Sequence, residues 1–298
     1  MKKILLSSAI TLASTAAFAQ DYNYNYYGYN DQMAQSEPTY YTNEVTVEEA
    51  AEMQYGYMPM QAVNTYERNW DLSVMVGVAH TPEYKGGKDN ELKAIIAPKA
   101  EYRLDEWQKL YLSLDQGAGY SYALTRNLEI GGGLGYRTGR DSSDASILSG
   151  MSDVDDTLTY LAFAKYNMGQ YNLGIKMEKG MDSSNDGMST ELSAGYRTKL
   201  SPQLVVGTSV SAIYGDDTYM EQNFGVSTAD AVPGRSAFNA DAGFHEANLK
   251  VFSNYNIAGP HNVTASVKYS KLLGDAKDST IVEDDTSVSA AVGYSYKF

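Results

Sequence analysis

T-S-V-S-A-A-V-G-Y-S-Y-K-F, residues 286–298, is the stretch whose reading decides the fold. Val288, Ala290, Val292, Tyr294, Tyr296 and Phe298 share one parity, and Ser287, Ser289, Ala291, Gly293, Ser295 and Lys297 share the other. An apolar side chain at every second position is the pattern of a half-buried β-strand. The apolar face ends in aromatic rings, as a transmembrane barrel strand does where it meets the lipid–water boundary. Soluble strands alternate too, so the weight of this stretch depends on the rest of the sequence.

At the other end, Lys2 and Lys3 precede a mostly apolar run over residues 4–13, and Ala17-Phe18-Ala19 forms a small-residue cleavage site before Gln20. This predicts a secretory signal peptide over residues 1–19. The run is too short to cross a bilayer as a helix, and no later stretch reaches the length of about 18 apolar residues that a helix needs. The sequence has no Cys, which excludes a lipoprotein anchor and a disulfide framework. Mean hydropathy is −0.40, so membrane insertion would have to use half-apolar strands. Net charge is −14, or −16 without Lys2 and Lys3, which argues against a nucleic-acid partner.

The period of two recurs from Asp71 onward. Strand one holds Leu72, Val74, Val76 and Val78, and strand two Leu92, Ala94, Ile96, Pro98, Ala100 and Tyr102. Leu110-Leu112-Leu114 and Tyr120-Tyr122-Leu124 follow, with a turn expected at residues 116–119. Further strands are read at 128–137, 158–168, 171–177, 191–197, 204–214, 248–255 and 262–269, and residues 286–298 supply the last. Tight connections alternate with longer polar ones near 80–90, 138–156, 180–188, 215–245 and 274–285. Short turns on one side and long loops on the other suit an antiparallel outer-membrane β-barrel. Twelve strands keep both chain ends on the periplasmic side; ten and fourteen are the alternatives.

The opposite parity places ten basic residues inward: Lys93, Lys99, Arg103, Arg137, Lys165, Lys176, Arg197, Lys250, Lys268 and Lys297. Glu101, Glu129, Glu178 and Glu191 stand among them, with Gly and Ser between. A dry soluble core would not tolerate so many charges, whereas a wet lumen would. The domain reading is therefore a signal peptide at 1–19, an extension at 20–69 and a barrel at 70–298. The extension is rich in Tyr and acidic residues, with a brief helix read near 44–53. Its composition suits a disordered periplasmic tail. An exposed Tyr face could instead stack on a partner or a sugar, and its acids could meet the lumen lysines as a plug.

Chemistry-bearing motifs are scarce. His80, His245 and His261 lack metal-ligand spacing, and there is no nucleophile elbow or phosphate loop. His80 and His245 both fall near the outer rim, which keeps an enzyme assembled from strand ends in view as the last-ranked reading. The acidic runs at 152–156 and 282–285 lack the spacing of a calcium loop and read as solvated loops. No cofactor, metal or catalytic residue is expected.

Residues 70–298 resemble the MltA-interacting protein (MipA) / OmpV family of outer-membrane proteins. The resemblance is carried by Pro82-Glu83-Tyr84-Lys85-Gly86-Gly87, by Gly133-Leu134-Gly135-Tyr136-Arg137-Thr138-Gly139-Arg140-Asp141 and by Asp153-Val154-Asp155-Asp156-Thr157. Asp217-Thr218-Tyr219-Met220, Phe224-Gly225-Val226-Ser227, Leu272-Leu273-Gly274-Asp275-Ala276 and the final Tyr296-Lys297-Phe298 complete it. The resemblance implies a non-enzymatic scaffold linking a lytic transglycosylase to a penicillin-binding protein during murein growth, or an adhesin. It supplies no catalytic residues. A small anion-preferring pore, from ten inward bases against four acids, ranks second, and an adhesin acting through the acidic loops third. The expected surroundings are outer-membrane lipid, lipopolysaccharide and the barrel assembly machinery. That machinery would read a C-terminal signal formed by Tyr294, Tyr296 and Phe298.

Overall fold

The computed structural model describes residues 69–298. The signal peptide, the Tyr-rich extension and the helix read near 44–53 lie outside the described residues. The described chain forms twelve antiparallel strands. They are β1 (Trp70–Pro82), β2 (Asn90–Arg103), β3 (Gln108–Ser113), β4 (Gly117–Ala123), β5 (Leu128–Arg137) and β6 (Thr157–Met168). Then come β7 (Tyr171–Gly180), β8 (Met188–Lys199), β9 (Leu204–Gly215), β10 (Gly243–Ala258), β11 (His261–Leu272) and β12 (Thr286–Lys297). Each pairs with its sequence neighbours, and β1 pairs with β12 from Ser73↔Lys297 to His80↔Ala290, so the barrel is closed. Closure leaves no edge along that seam and lets half-apolar strands stand in lipid.

Alternation decides which way each side chain faces. Val76, Val78, Leu112, Leu134, Leu173, Val210, Val251, Val267 and Val292 are exposed on the outer wall. Aromatic rings gather at the end where β1 begins and β12 stops. Trp70 meets Tyr102 at 4.6 Å, Tyr171 meets Tyr196 at 5.1 Å, and Tyr296 meets Phe298 at 5.0 Å between centroids. Tyr214 and Phe244 form a pair at the opposite end. An apolar belt bounded by aromatic girdles is the outer surface that a bilayer requires.

The turn between β3 and β4 falls at residues 114–116, not at 116–119. Gly117, at φ +68°, closes the three-residue turn in the left-handed conformation that side chains avoid. The hairpin is consequently short, at six and seven residues in its two strands. β10 also begins earlier than the alternation suggested. A bulge between Phe244 and Glu246 inserts His245 and hides the period of two there.

The long loops are not simply solvated. Residues 216–242 contain helix α1 (Asp217–Phe224), whose N-cap Asp216 accepts from the Tyr219 amide at 2.7 Å. Residues 273–285 contain a short helix, α2 (Gly274–Asp278). Tyr219, Met220 and Phe224 pack with Ala240, Leu272 and Ala276. Tyr84, Leu148, Met151, Val226 and Ile281 form a second buried cluster. Four loops thus fold together over the outer mouth as a cap with its own apolar interior.

Candidate functional site

Beneath the cap lies a chamber of about 1160 Å³, bounded by the upper halves of the strands and by the loops. Serines from β8, β9, β11 and β12 line its wall, among them Ser193, Ser209, Ser270 and Ser289. Lys176, Lys250 and Lys268 stand at its lower end. Lys250 lies directly opposite Lys268 in the β10–β11 register. Lys176 approaches Glu178 at 3.5 Å and Glu191 at 3.8 Å.

Below the chamber the lumen is filled. Tyr111 meets Phe163 at 5.8 Å and packs with Leu161. Phe252, 2 % exposed, lies on Gly207, where a methyl group would strike its ring. Met75, Ala79, Ile95 and Ala97 form a further inward cluster on β1 and β2. Between these groups runs a chain of ion pairs. Lys99 reaches Glu101 at 3.5 Å, and Lys109 reaches Glu101 at 3.5 Å and Glu129 at 3.2 Å. At the periplasmic mouth Asp71 takes both Arg103, at 3.2 Å, and Lys297, at 3.3 Å.

Apart from Lys297 at the mouth, the ten lumen bases read from the sequence divide into groups. Lys93, Lys176, Lys250 and Lys268 line the chamber, as does Arg137. Arg137 donates to the carbonyls of Gly187 and Glu178, at 2.7 and 3.0 Å, and sits 5.0 Å from the Tyr219 ring centroid. Lys99 and Arg103 belong to the lower ion-pair chain and the mouth. Lys165 lies 5.0 Å from the Phe163 ring, and Arg197 is on the lower half of β8. Tyr294 and Phe298 are exposed on the lipid side of the C-terminal strand and beyond it, with Tyr296 partly covered.

The expected excess of lumen bases does not hold for the chamber. Its lining carries fourteen acidic and seven basic residues. The alternation addresses strand positions alone, and it omitted the loop carboxylates that the cap brings inward. It also passed over Asp71, Glu91 and Lys109, although each shares the inward parity of its strand. Glu91 pairs with Lys93. Asp115 enters from the β3–β4 turn, a position that no periodicity marks, and Glu246 follows the bulge on the inward parity of Asn248 and Lys250.

Most of the loop carboxylates have structural work. Asp156 accepts from the Gly139 amide at 2.8 Å and from the Tyr136 hydroxyl at 2.6 Å. Asp153 accepts from the Ser142 amide at 2.7 Å. Burial and the neighbouring Glu283 carboxylate push the Tyr84 phenol well up. It therefore stays protonated and donates to the Ile281 carbonyl at 2.8 Å. Burial also raises the Asp144 carboxyl. Among the described residues no three His, Asp or Glu side chains converge as a metal site. His80 and His245 do not meet: His80 is exposed on the outer wall, and His245 is fully buried, its ring centroid 5.0 Å from that of Tyr219.

A closed twelve-stranded barrel with an apolar belt, aromatic girdles, short turns on one side and long loops on the other is an outer-membrane β-barrel. The chain belongs to the MltA-interacting protein MipA family, whose model matches residues 74–298. Comparison with curated proteins gave no match. Among solved structures it is similar to OmpT of Vibrio cholerae, at 9% identity over 78% of this chain and 99% of that one, with a TM-score of 0.35. It is also similar to an outer membrane channel from Pseudomonas putida F1, at 12% identity over 81% and 100%, with a TM-score of 0.39. KdgM porin matches at 9% identity over 76% and 99%, with a TM-score of 0.38. These likenesses are too distant to carry a functional inference.

Proposed function

We propose that this protein is a non-enzymatic barrel that anchors an envelope complex at its periplasmic face, and not a diffusion pore. The observation that supports this most is the obstruction of the lumen at two levels. Phe224, Leu148 and Ile281 are at most 1 % exposed in the cap, and Tyr111, Phe163 and Phe252 fill the lower lumen. A solute would have to disrupt one packed layer at each end of the chamber.

The family's description names MltA as a partner, and the sequence resemblance implies a lytic transglycosylase and a penicillin-binding protein. Among the described residues the surface available to them is the periplasmic turns, with exposed Leu104, Trp107, Leu124 and Leu200. Two measurements test the reading. Full-length protein in planar bilayers should give no stable conductance steps. Cross-linking in intact cells should recover a murein hydrolase or synthase with the barrel. Steady conductance, or failure to recover either enzyme class, overturns it. Conductance with cation selectivity would favour a pore that reads the acidic chamber.

A further inference from the structure

β1 and β12 are the first and last strands among the described residues, so their pairing is the seam at which the barrel closes. The seam is built from small residues. Gly77 faces Gly293, and a methyl group on Gly77 would strike the Val292 carbonyl oxygen. Met75, fully buried, covers Gly293 from the lumen. The ladder ends at His80↔Ala290, so residues 286–289 of β12 rise above it.

Above the ladder the fastening passes to other groups. Thr81 and Ser289 join through their hydroxyls at 3.2 Å. The loop between β1 and β2 then crosses to the loop between β11 and β12. The Gly86 carbonyl accepts from the Glu283 amide at 2.7 Å and from the Asp284 amide at 3.1 Å. The buried Tyr84 hydroxyl donates to the Ile281 carbonyl at 2.8 Å. Lys88 pairs with Glu283 at 2.7 Å, but Lys88 is exposed and the pair adds little. The backbone bonds and Tyr84 therefore carry the crossing. Gly86 sits at φ +91°, and a Cβ there would lie 2.6 Å from Val282 Cγ2. Glycine alone adopts that conformation freely and lets the two loops approach this closely.

The crossing loop is itself anchored. Tyr84 packs with Leu148, Met151, Val226 and Ile281, and Lys85 reaches Glu246 and the Tyr219 hydroxyl. β1 and β12 stand at opposite ends of the sheet until the seam closes, so the contacts from Gly86 to Glu283 and from Tyr84 to Ile281 exist only in the closed barrel.

We propose that residues 83–89 are a latch that sets when the barrel has closed and then holds the seam shut from the outer side. The seam's resistance to opening is in this reading a property of the loop crossing as much as of the β1–β12 ladder beneath it.

The test is hydrogen exchange on the full-length protein folded in detergent, because exchange reports local opening strand by strand. In the Tyr84→Phe, Gly86→Val variant, the amides of residues 76–80 and 290–294 should exchange at least tenfold faster than in the unaltered protein. Those of β6 and β7, on the far side of the barrel, should keep their rates. Arg235→Ala, which loosens the 138–156 and 216–242 loops, should leave the seam amides unchanged. Heat-modifiable migration on gels confirms that each variant is a folded barrel. Should the double variant not fold, Tyr84→Phe alone is measured and should speed the same amides about threefold. Unchanged seam exchange in the latch variant overturns the proposal. So does acceleration spread equally over β6 and β7, which would report general loosening. Equal acceleration by Arg235→Ala overturns it as well, because the whole cap and not this loop would then guard the seam.

Discussion

Arg235 donates from its guanidinium to the carbonyl of Ile147 at 2.5 Å, and it is 2 % exposed. The same group reaches the carbonyls of Ser149 at 3.1 Å and Asp230 at 2.6 Å. It ties residues 138–156 to residues 216–242. Arg235→Ala should cost the cap about 3 kcal/mol, because three carbonyls lose their donor. Limited proteolysis of the folded barrel should then cut within these two loops, while heat-modifiable migration stays normal. Unchanged resistance would show that the apolar clusters hold the cap without Arg235.

Lys85 Nζ lies 3.1 Å from Glu246 Oε2 and 3.2 Å from the Tyr219 hydroxyl. Burial pulls the Lys85 amine down, but Glu246 and Tyr219 more than offset it, so the net shift is upward. A raised Lys contributes stability that is complete below its unfolded value of about 10.4 and is lost as pH rises through the folded value. At neutral pH the tie is intact. Lys85→Met should cost about 2 kcal/mol, less than a fully buried pair because the Lys85 side chain is 45% exposed. A Lys85→Met, Glu246→Met double variant should recover most of the loss in a thermal melt. If the double variant is as unstable as the single one, the ion pair is not the cause.

Asp284 accepts from the Thr286 amide at 2.9 Å and from the Thr286 hydroxyl at 2.8 Å. These bonds depress its carboxyl. A depressed carboxyl contributes stability present above its unfolded value, about 3.9, and lost as pH falls through the lower folded value. Hydrogen exchange at the Thr286 amide, corrected for intrinsic rates, should speed up at pH 3 relative to pH 5. Asp284→Asn should remove most of that pH dependence.

Phe298 donates its amide to the Leu72 carbonyl at 2.9 Å, one residue beyond the β12 ladder, and its ring packs on Tyr296. Phe298→Ala should lower the amount of folded barrel in the outer membrane several-fold and leave more in the periplasm. Fractionation and heat-modifiable migration read this directly. Unchanged levels would remove Phe298 from the assembly signal.

The wall was legible because a closed barrel converts burial into parity. Every outward apolar side chain on β12, from Val288 to Tyr294, is placed by period two alone. The β10 bulge escaped that reading because a bulge breaks the period, so His245 carried no signal. The short β3–β4 hairpin left one trace, Gly117. It is an ordinary turn residue until the pairing of its neighbours is known.

The amino-acid pattern by itself determined a membrane barrel and which face of each strand meets lipid, because those depend on neighbours two residues apart, while it favoured twelve strands over ten or fourteen without deciding between them. The cap, the filled lower lumen and the acidic chamber depend on residues far apart in sequence, such as Tyr84 with Ile281 and Arg235 with Ile147. Only the closed tertiary structure brings those residues together, and so only it decided what packs within the cap and the lumen.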